Sequence, residues 1–406
     1  MKEKISVGID IGDSKVVTVI GHRAEGETHP NVVGVSIRDG SGMRRGVVTD
    51  VEEAVSAIAG SVEEAERMAG LPAEAVYISI AGEHIQATNN KGLAAIARGK
   101  EEITQEDVTR VMEVAQSVPT GPNREILHVI PKMFMVDDQT GIKDPVGMAG
   151  ARLEVEAHVI TGSTPFIKNL RKTVEQAGVA VAGFVLAPLA AAKAVLSKKQ
   201  KELGVVLIDI GAGTTGVVVF EDGDIYHSAV LPIGSDHITG DIAIGLRISL
   251  DLATKIKLEY GVASPVMLSD KDTIDLSKFD RDEEEIVSRR FIAEIIEARL
   301  SELFLMIKSE LRKVGRDGML PAGAVLVGGG SKLAGIVEAA KDHLGLPAQL
   351  GFPVELKGMV DKLDDPRFAT AIGCMLWGMD EESNRANFPT LDFAAIVSKL
   401  KNIFTK

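Results

Sequence analysis

Short apolar runs of strand length alternate along the chain with stretches of helical periodicity, which predicts α/β architecture with helices on both sides of mixed sheets. Two of these runs repeat each other. Residues 4–20 read KISVGIDIGDSKVVTVI and residues 204–220 read GVVLIDIGAGTTGVVVF: an apolar strand ending in Ile-Asp-Ile-Gly, a short turn of small polar residues, and a second, valine-rich strand. The offset of about 200 residues is the size of a domain, so the repeat predicts two homologous halves. The uncharged stretch 177–192 imitates a membrane span, but it is rich in Ala and Gly and interrupted by Pro188. It reads instead as a buried strand (179–186) feeding a small-residue helix.

Other segments follow from the same patterning. Thr104 is placed to cap a helix that buries Val108, Val111, Met112 and Ala115, and residues 85–97 read as a hairpin around Asn89-Asn90-Lys91-Gly92. Residues 291–314 carry Ile295, Ile296, Leu300, Leu303, Phe304, Ile307 and Leu311 as one helical stripe, expected in the core. From Met379 the chain reads as a polar linker (379–390). Thr390 then caps a helix with Phe393, Ile396, Val397, Leu400, Ile403 and Phe404 on one face and Lys399, Lys401 and Lys406 toward its end, the make-up of an amphipathic membrane anchor.

Composition narrows the partners. The 406 residues are 45% apolar and 25% charged, enough to bury a substantial core in two or more domains. A net charge of −13 sets the body against nucleic-acid phosphates and anionic lipid, so no nucleic-acid partner is expected and membrane contact is expected only locally, at the tail. Cys374 is the single cysteine, the eight histidines show no metal-ligand spacing, and the N-terminal residues lack a secretory pattern; the cytosol is the expected compartment.

The repeated hairpins have a chemical use. Glycine lets backbone N–H groups around Gly12 to Lys15 and Gly211 to Thr215 approach phosphoryl oxygens, and the hydroxyls of Ser14, Thr214 and Thr215 can donate further. Asp10 and Asp209 end the two leading strands, where a carboxylate pair facing across a cleft suits a hydrated Mg²⁺. Residues 324–333, AVLVGGGSKL, add a buried strand, three glycines and a helix start, a place for a planar ring or ribose against bare backbone. The glycine spacing does not match a dinucleotide fingerprint, and no P-loop motif occurs.

Two phosphate hairpins a domain apart, followed by this third loop, resemble the actin, Hsp70 and sugar-kinase superfamily. Residues 124–162 and 235–246 and the lysine-bearing tail narrow the resemblance to the FtsA family of bacterial cell-division proteins. The resemblance implies an actin-like two-lobed ATPase fold with a family-specific insert: subdomain 1A at 1–82 and 161–200, the insert 1C at 83–160, 2A at 201–232 and 323–378, 2B at 233–322, the linker, and a membrane-targeting helix at 391–406. It assigns ATP phosphates to Gly12, Ser14, Lys15, Gly211, Gly213, Thr214 and Thr215, and Mg²⁺, largely through water, to Asp10 and Asp209. Gly328, Gly329, Gly330 and Ser331 take the adenosine side, with Lys257 on a helix motif in which Thr254 replaces the family's usual glutamate, and Asp13 stands where the family has threonine.

The same resemblance implies function. The protein would self-associate into filaments on the inner face of the cytoplasmic membrane at the division site, tether filaments of the tubulin-like protein FtsZ, and recruit later division proteins through 1C. Arg289, Arg290 and Arg299 could pair locally or receive an acidic peptide; the resemblance gives Arg290 and Arg299 to the C-terminal peptide of FtsZ. Two other functions share the architecture: a PilM-like pilus-assembly adaptor, which would need no amphipathic tail, and a phosphotransferase, which would need a carboxylate base. Ala187 stands where hydrolysing relatives place glutamate, so ATP turnover is expected to be slow.

Overall fold

The computed structural model describes residues 4–96, 102–117, 121–279 and 285–387. Its two lobes are built on the same sheet motif. In the first, strand Lys4–Ile11 pairs antiparallel with Lys15–Arg23, which pairs with Asn31–Asp39; on its other side Lys4–Ile11 runs parallel to Ala75–Ile80, and that strand to Ala180–Leu186. In the second, Val205–Ile210, Thr215–Glu221 and Asp224–Leu231 form the matching meander, and Ala324–Val327 and Ala348–Leu350 complete the sheet in parallel. The leading strands are buried on both faces: neighbouring residues Ser6 and Val7 in the first, and Val206, Leu207 and Ile208 in the second, are almost wholly enclosed.

Two helices join the lobes. Ala187–Val195 follows strand Ala180–Leu186, as the small-residue pattern predicted; its Ala191, Ala192 and Ala194 are fully buried in a core that includes Val205, Leu207 and Val218 of the second lobe, and Ala190 is buried with Tyr77, Val185 and Cys374. Helix Ala369–Asn387 crosses it with almost no gap, since a Cβ on Gly373 would collide with the Ala190 carbonyl. The same helix lies on strand Lys4–Ile11, where a Cβ on Gly8 would meet the Ala371 carbonyl. The chain therefore returns to the first lobe before the boundary expected at 378: Lys357–Gly358 pairs with Asn31 and Val32 at that lobe's sheet edge, and the helix after it packs there. It also runs to Asn387, through the start of the stretch read as linker. The remainder of that linker and the tail 391–406 lie outside the described residues.

The insert has its own core. Strands Gln86–Ala95, Arg152–Ser163, Arg124–Val136 and Gln139–Ile142 form an antiparallel sheet in that order. Helix Gln105–Gln116 covers it, burying Val111 and Ala115 and partly burying Val108 and Met112. The hairpin expected at 85–97 does not form; Gln86–Ala95 is one continuous strand paired with Arg152–Ser163. Gly92 is there for helix approach rather than for a turn, because a Cβ would collide with the Val111 carbonyl, and Asn89 turns its amide to His158.

The insert also docks on the second lobe. His158 is buried between Asn89 Oδ1 at Nδ1 (2.6 Å) and Ser228 Oγ at Nε2 (2.8 Å), and Lys143 pairs with Asp224. Beyond that lobe's sheet, helices Ser235–Leu246, Leu250–Tyr260 and Arg289–Lys313 form the outer subdomain. The stripe predicted on the last of these is core: Ile296, Leu300, Leu303, Phe304, Ile307 and Leu311 are buried and Ile295 packs beside them. Among the described residues no helix is long and apolar enough to cross a membrane.

Candidate functional site

The two hairpins end in the same turn. Gly12 N–H donates to the Lys15 carbonyl and Gly211 N–H to the Thr214 carbonyl, each at 2.9 Å. Each leading strand delivers its aspartate to the cleft. Desolvation pushes the Asp10 carboxyl up to about 6, against a hydrogen bond from Ser79 Oγ (2.6 Å). Asp209 rises to about 7, through desolvation and the facing charge of Asp10, against a hydrogen bond from Thr370 Oγ1 (3.0 Å). Two carboxylates that repel one another across an enclosed gap are an arrangement a cation would relieve. Ser79 and Thr370 were not legible as site residues: one lies mid-strand and the other on the returning helix, and only the fold brings them to the aspartates.

The loops approach closely. Asp13 accepts hydrogen bonds from the N–H groups of Arg45 (2.6 Å) and Gly46 (2.9 Å), and a Cβ on Gly213 would collide with its Oδ2. Behind the second loop, the N–H groups of Ser235 and Asp236 donate to the carbonyls of Gly211 and Ala212, both at 2.9 Å, seating the first turn of helix Ser235–Leu246. Lys257 reaches the same turn, donating to the Ser235 carbonyl (3.0 Å) with Asp236 Oδ1 4.0 Å away; burial holds its ammonium below the usual lysine range.

The third loop closes one end of the site. Gly328 has φ of 82° and lies so close to Asp209 that a side chain would not fit, and Gly330 lies against Ile210. Gly329 is open, with only the Arg367 stem nearby. A narrow crevice lined by Ile233, Ile238, Leu300 and Ile336 opens beside Gly330. Asp365, Arg367 and Lys332 form an ion-paired rim, which draws the Asp365 carboxyl down to about 2 despite its burial.

Several predicted side-chain roles are not available as drawn. The Thr215 hydroxyl is buried and donates to the Ile233 carbonyl (2.8 Å), because the residue already belongs to the strand. Ser331 is buried and donates to the Gly328 carbonyl (2.7 Å), bracing the loop rather than facing the cleft. Lys15 pairs with Asp39 at the rim, while Ser14 is exposed. Arg299 is held by Asp241 through two hydrogen bonds (2.6 and 2.8 Å) and by Glu302, and Arg290 by Asp270 (2.8 Å), with Glu294 3.7 Å away. Both arginines thus pair locally.

The donor set suits a magnesium polyphosphate. The loops come together as bare backbone, since a Cβ at Gly213, Gly328 or Gly330 would strike Asp13, Asp209 or Ile210, and Asp10 and Asp209 face each other as enclosed acids. No group of three or more acidic, histidine or cysteine side chains with metal-holding geometry occurs among the described residues, so Mg²⁺ would be held largely through water and phosphate.

Comparison with known proteins agrees with this architecture. Residues 206–373 match the family model for cell division protein FtsA, and residues 82–161 match the model for the SHS2 domain inserted in FtsA. Cell division protein FtsA of Pseudomonas aeruginosa is 38% identical over 383 residues, covering 94% of this chain and 91% of that one. Among solved structures, the fold is shared with the PilM–PilN type IV pilus biogenesis complex (TM-score 0.65, 19% identity, 92% and 98% of the two chains). It is shared also with Spiroplasma citri MreB5 bound to ADP (TM-score 0.56, 14% identity, 95% and 99%). The fold is therefore actin-like and common to several functions, whereas identity over nearly the full length is specific: this chain belongs to the FtsA family of cell division proteins.

Proposed function

We propose that this chain binds ATP with Mg²⁺ between its lobes, assembles into filaments, and tethers FtsZ filaments to the inner face of the cytoplasmic membrane at the division site. The observation that carries the nucleotide part is the convergence of two backbone turns on the Asp10–Asp209 pair. Gly12, Ser14, Lys15, Gly211, Gly213 and Thr214 would face the phosphates, and Gly328, Gly329, Gly330 and Lys257 the nucleoside side. Bound there, the ion would supply charge neutralisation of the phosphates, while the protein supplies amides and carboxylates that fix its place. Helix Ala187–Val195 begins with a buried alanine and offers no base to a water, so turnover is proposed to be slow.

The insert would recruit later division proteins. The acidic C-terminal peptide of FtsZ would meet the outer subdomain at Arg290 and Arg299, in competition with Asp270 and Asp241. Phe393, Ile396, Val397, Leu400, Ile403 and Phe404 would enter anionic lipid, each tail binding weakly and an assembled row of tails binding stably. Co-sedimentation with anionic vesicles in MgATP tests the assembly as a whole. The full chain should carry FtsZ into the pellet, and the chain lacking 391–406 should leave both proteins in the supernatant. FtsZ pelleting equally without the tail would overturn the tethering role.

A further inference from the structure

The backbone at Arg45 and Gly46 is left-handed at both positions, with φ of 50° and 74°. They are the two-residue turn between the paired strands Met43–Arg44 and Val47–Val48, and a turn that aims successive N–H groups at one point is an anion-binding nest. Here the nest is filled from within the chain: both amides donate to the Asp13 carboxylate, at 2.6 and 2.9 Å. The same carboxylate abuts Gly213 of the opposite loop, and Arg45 N lies 3.2 Å from where a Gly213 Cβ would stand. Asp13 thus reaches from the first phosphate turn to the backbone of the second. Its charge is poorly accommodated, because burial raises its carboxyl above the usual range against the two amide bonds, and Asp236 adds to the effect.

We propose that Asp13 is a specificity-determining residue that counts phosphates: its carboxylate occupies the position toward which the outermost phosphoryl group of a bound nucleotide extends, and so selects against a third phosphate. The inference rests on the nucleotide reading of the cleft and deepens it. The direction follows from topology. The Gly328–Gly330 loop and the Gly211–Thr214 turn belong to the second lobe, whereas Asp13 comes from the first. A nucleotide with its nucleoside on the third loop therefore meets the second-lobe turn first and reaches Asp13 with its far end. Diphosphate stops short of the carboxylate. Triphosphate brings like charge against it in an enclosed gap, or displaces it from the nest and takes over the two amides.

Titration calorimetry of the full chain with AMP, ADP and ATP, each with Mg²⁺, tests this in the parent and in Asp13→Asn. The amide keeps the side chain's shape, removes its charge and leaves one oxygen to accept from the two N–H groups. ATP affinity should rise about tenfold, ADP affinity by much less, and AMP affinity not at all, as a distance-dependent repulsion requires. Asp13→Ser, which leaves the nest to the ligand, should give the same order. Equal shifts for the three nucleotides, or no shift, would overturn the selection role. Joint loss of all three in a folded variant would also overturn it, leaving Asp13 as a loop clamp only. A parent chain that binds none of them would instead defeat the nucleotide reading on which the inference rests.

Discussion

The two hairpins are alike in sequence, pairing and turn geometry, yet they are wired differently. The first carries the charges: Asp13 and Lys15 sit in its turn, Lys15 pairs with Asp39, and Asp10 is braced by Ser79 from a neighbouring strand of the same lobe. The second is bare. Its turn is Gly-Ala-Gly-Thr, its Thr215 hydroxyl is spent inside the strand, and Asp209 is braced by Thr370, which arrives on the helix returning to the other lobe. Both hairpins share the scaffold that points amides and one aspartate into the cleft. What diverged is which loop gives way. The second offers backbone amides and the Thr214 hydroxyl and has no room for a side chain at Gly213, while the first can move its charged groups aside.

That contrast extends to the sheet edges. The first lobe bears the insert, and the second receives it on strand Asp224–Leu231, where His158 is enclosed beside Ser228. Desolvation, with His227 and Lys132 nearby, holds the His158 imidazole down to about 3. A neutral ring with its proton on Nδ1 satisfies both neighbours, donating to Asn89 and accepting from Ser228.

The sharpest way to break the comparison is to add a side chain to each turn. Gly213→Val puts a side chain into the narrow approach between the two loops, where the phosphates are proposed to lie, and that obstruction should cost about a hundredfold in MgATP affinity, outweighing any gain from displacing Asp13. Gly12→Ala meets only the Lys15 carbonyl, 3.1 Å from the new Cβ, and should cost about threefold or less. Calorimetry giving equal losses would mean the loops are equivalent after all. A smaller effect is expected at the sheet edge. With its folded pKa depressed from 6.5 to about 3, His158 contributes stability that is complete above about pH 6.5 and lost as pH falls toward 3. Between pH 7 and 5 the parent should lose about 2 kcal/mol more than His158→Gln in denaturant titrations. Parallel pH profiles for the two proteins would show that His158 titrates normally and that docking is not closed around it.

Much of the scaffold was legible because it depends on local pattern. The Ile-Asp-Ile-Gly repeat gave both leading strands and both cleft aspartates, and the alanine-rich run gave the helix between the lobes. The errors came where a local signal served a distant contact. Asn89 to Gly92 has turn composition, but the glycine admits a helix and the asparagine answers a histidine 69 positions away. Thr215 and Ser331 have the right chemistry beside the right glycines, yet alternation along the strand and closure of the loop turn their hydroxyls inward. The return of Lys357–Gly358 and Ala369–Asn387 to the first lobe, with Thr370 on it, is a long-range packing event that no window of sequence encodes.

The central claim is that one nucleotide bridges two unequal loops. A crystal structure of the chain with MgATP tests it most directly. The account predicts phosphates on the amides of Gly12 to Lys15 and Gly211 to Thr214, the ion between Asp10 and Asp209, and Asp13 displaced from the Arg45–Gly46 nest. Nucleotide bound to one lobe alone, or lodged away from these loops, would contradict it.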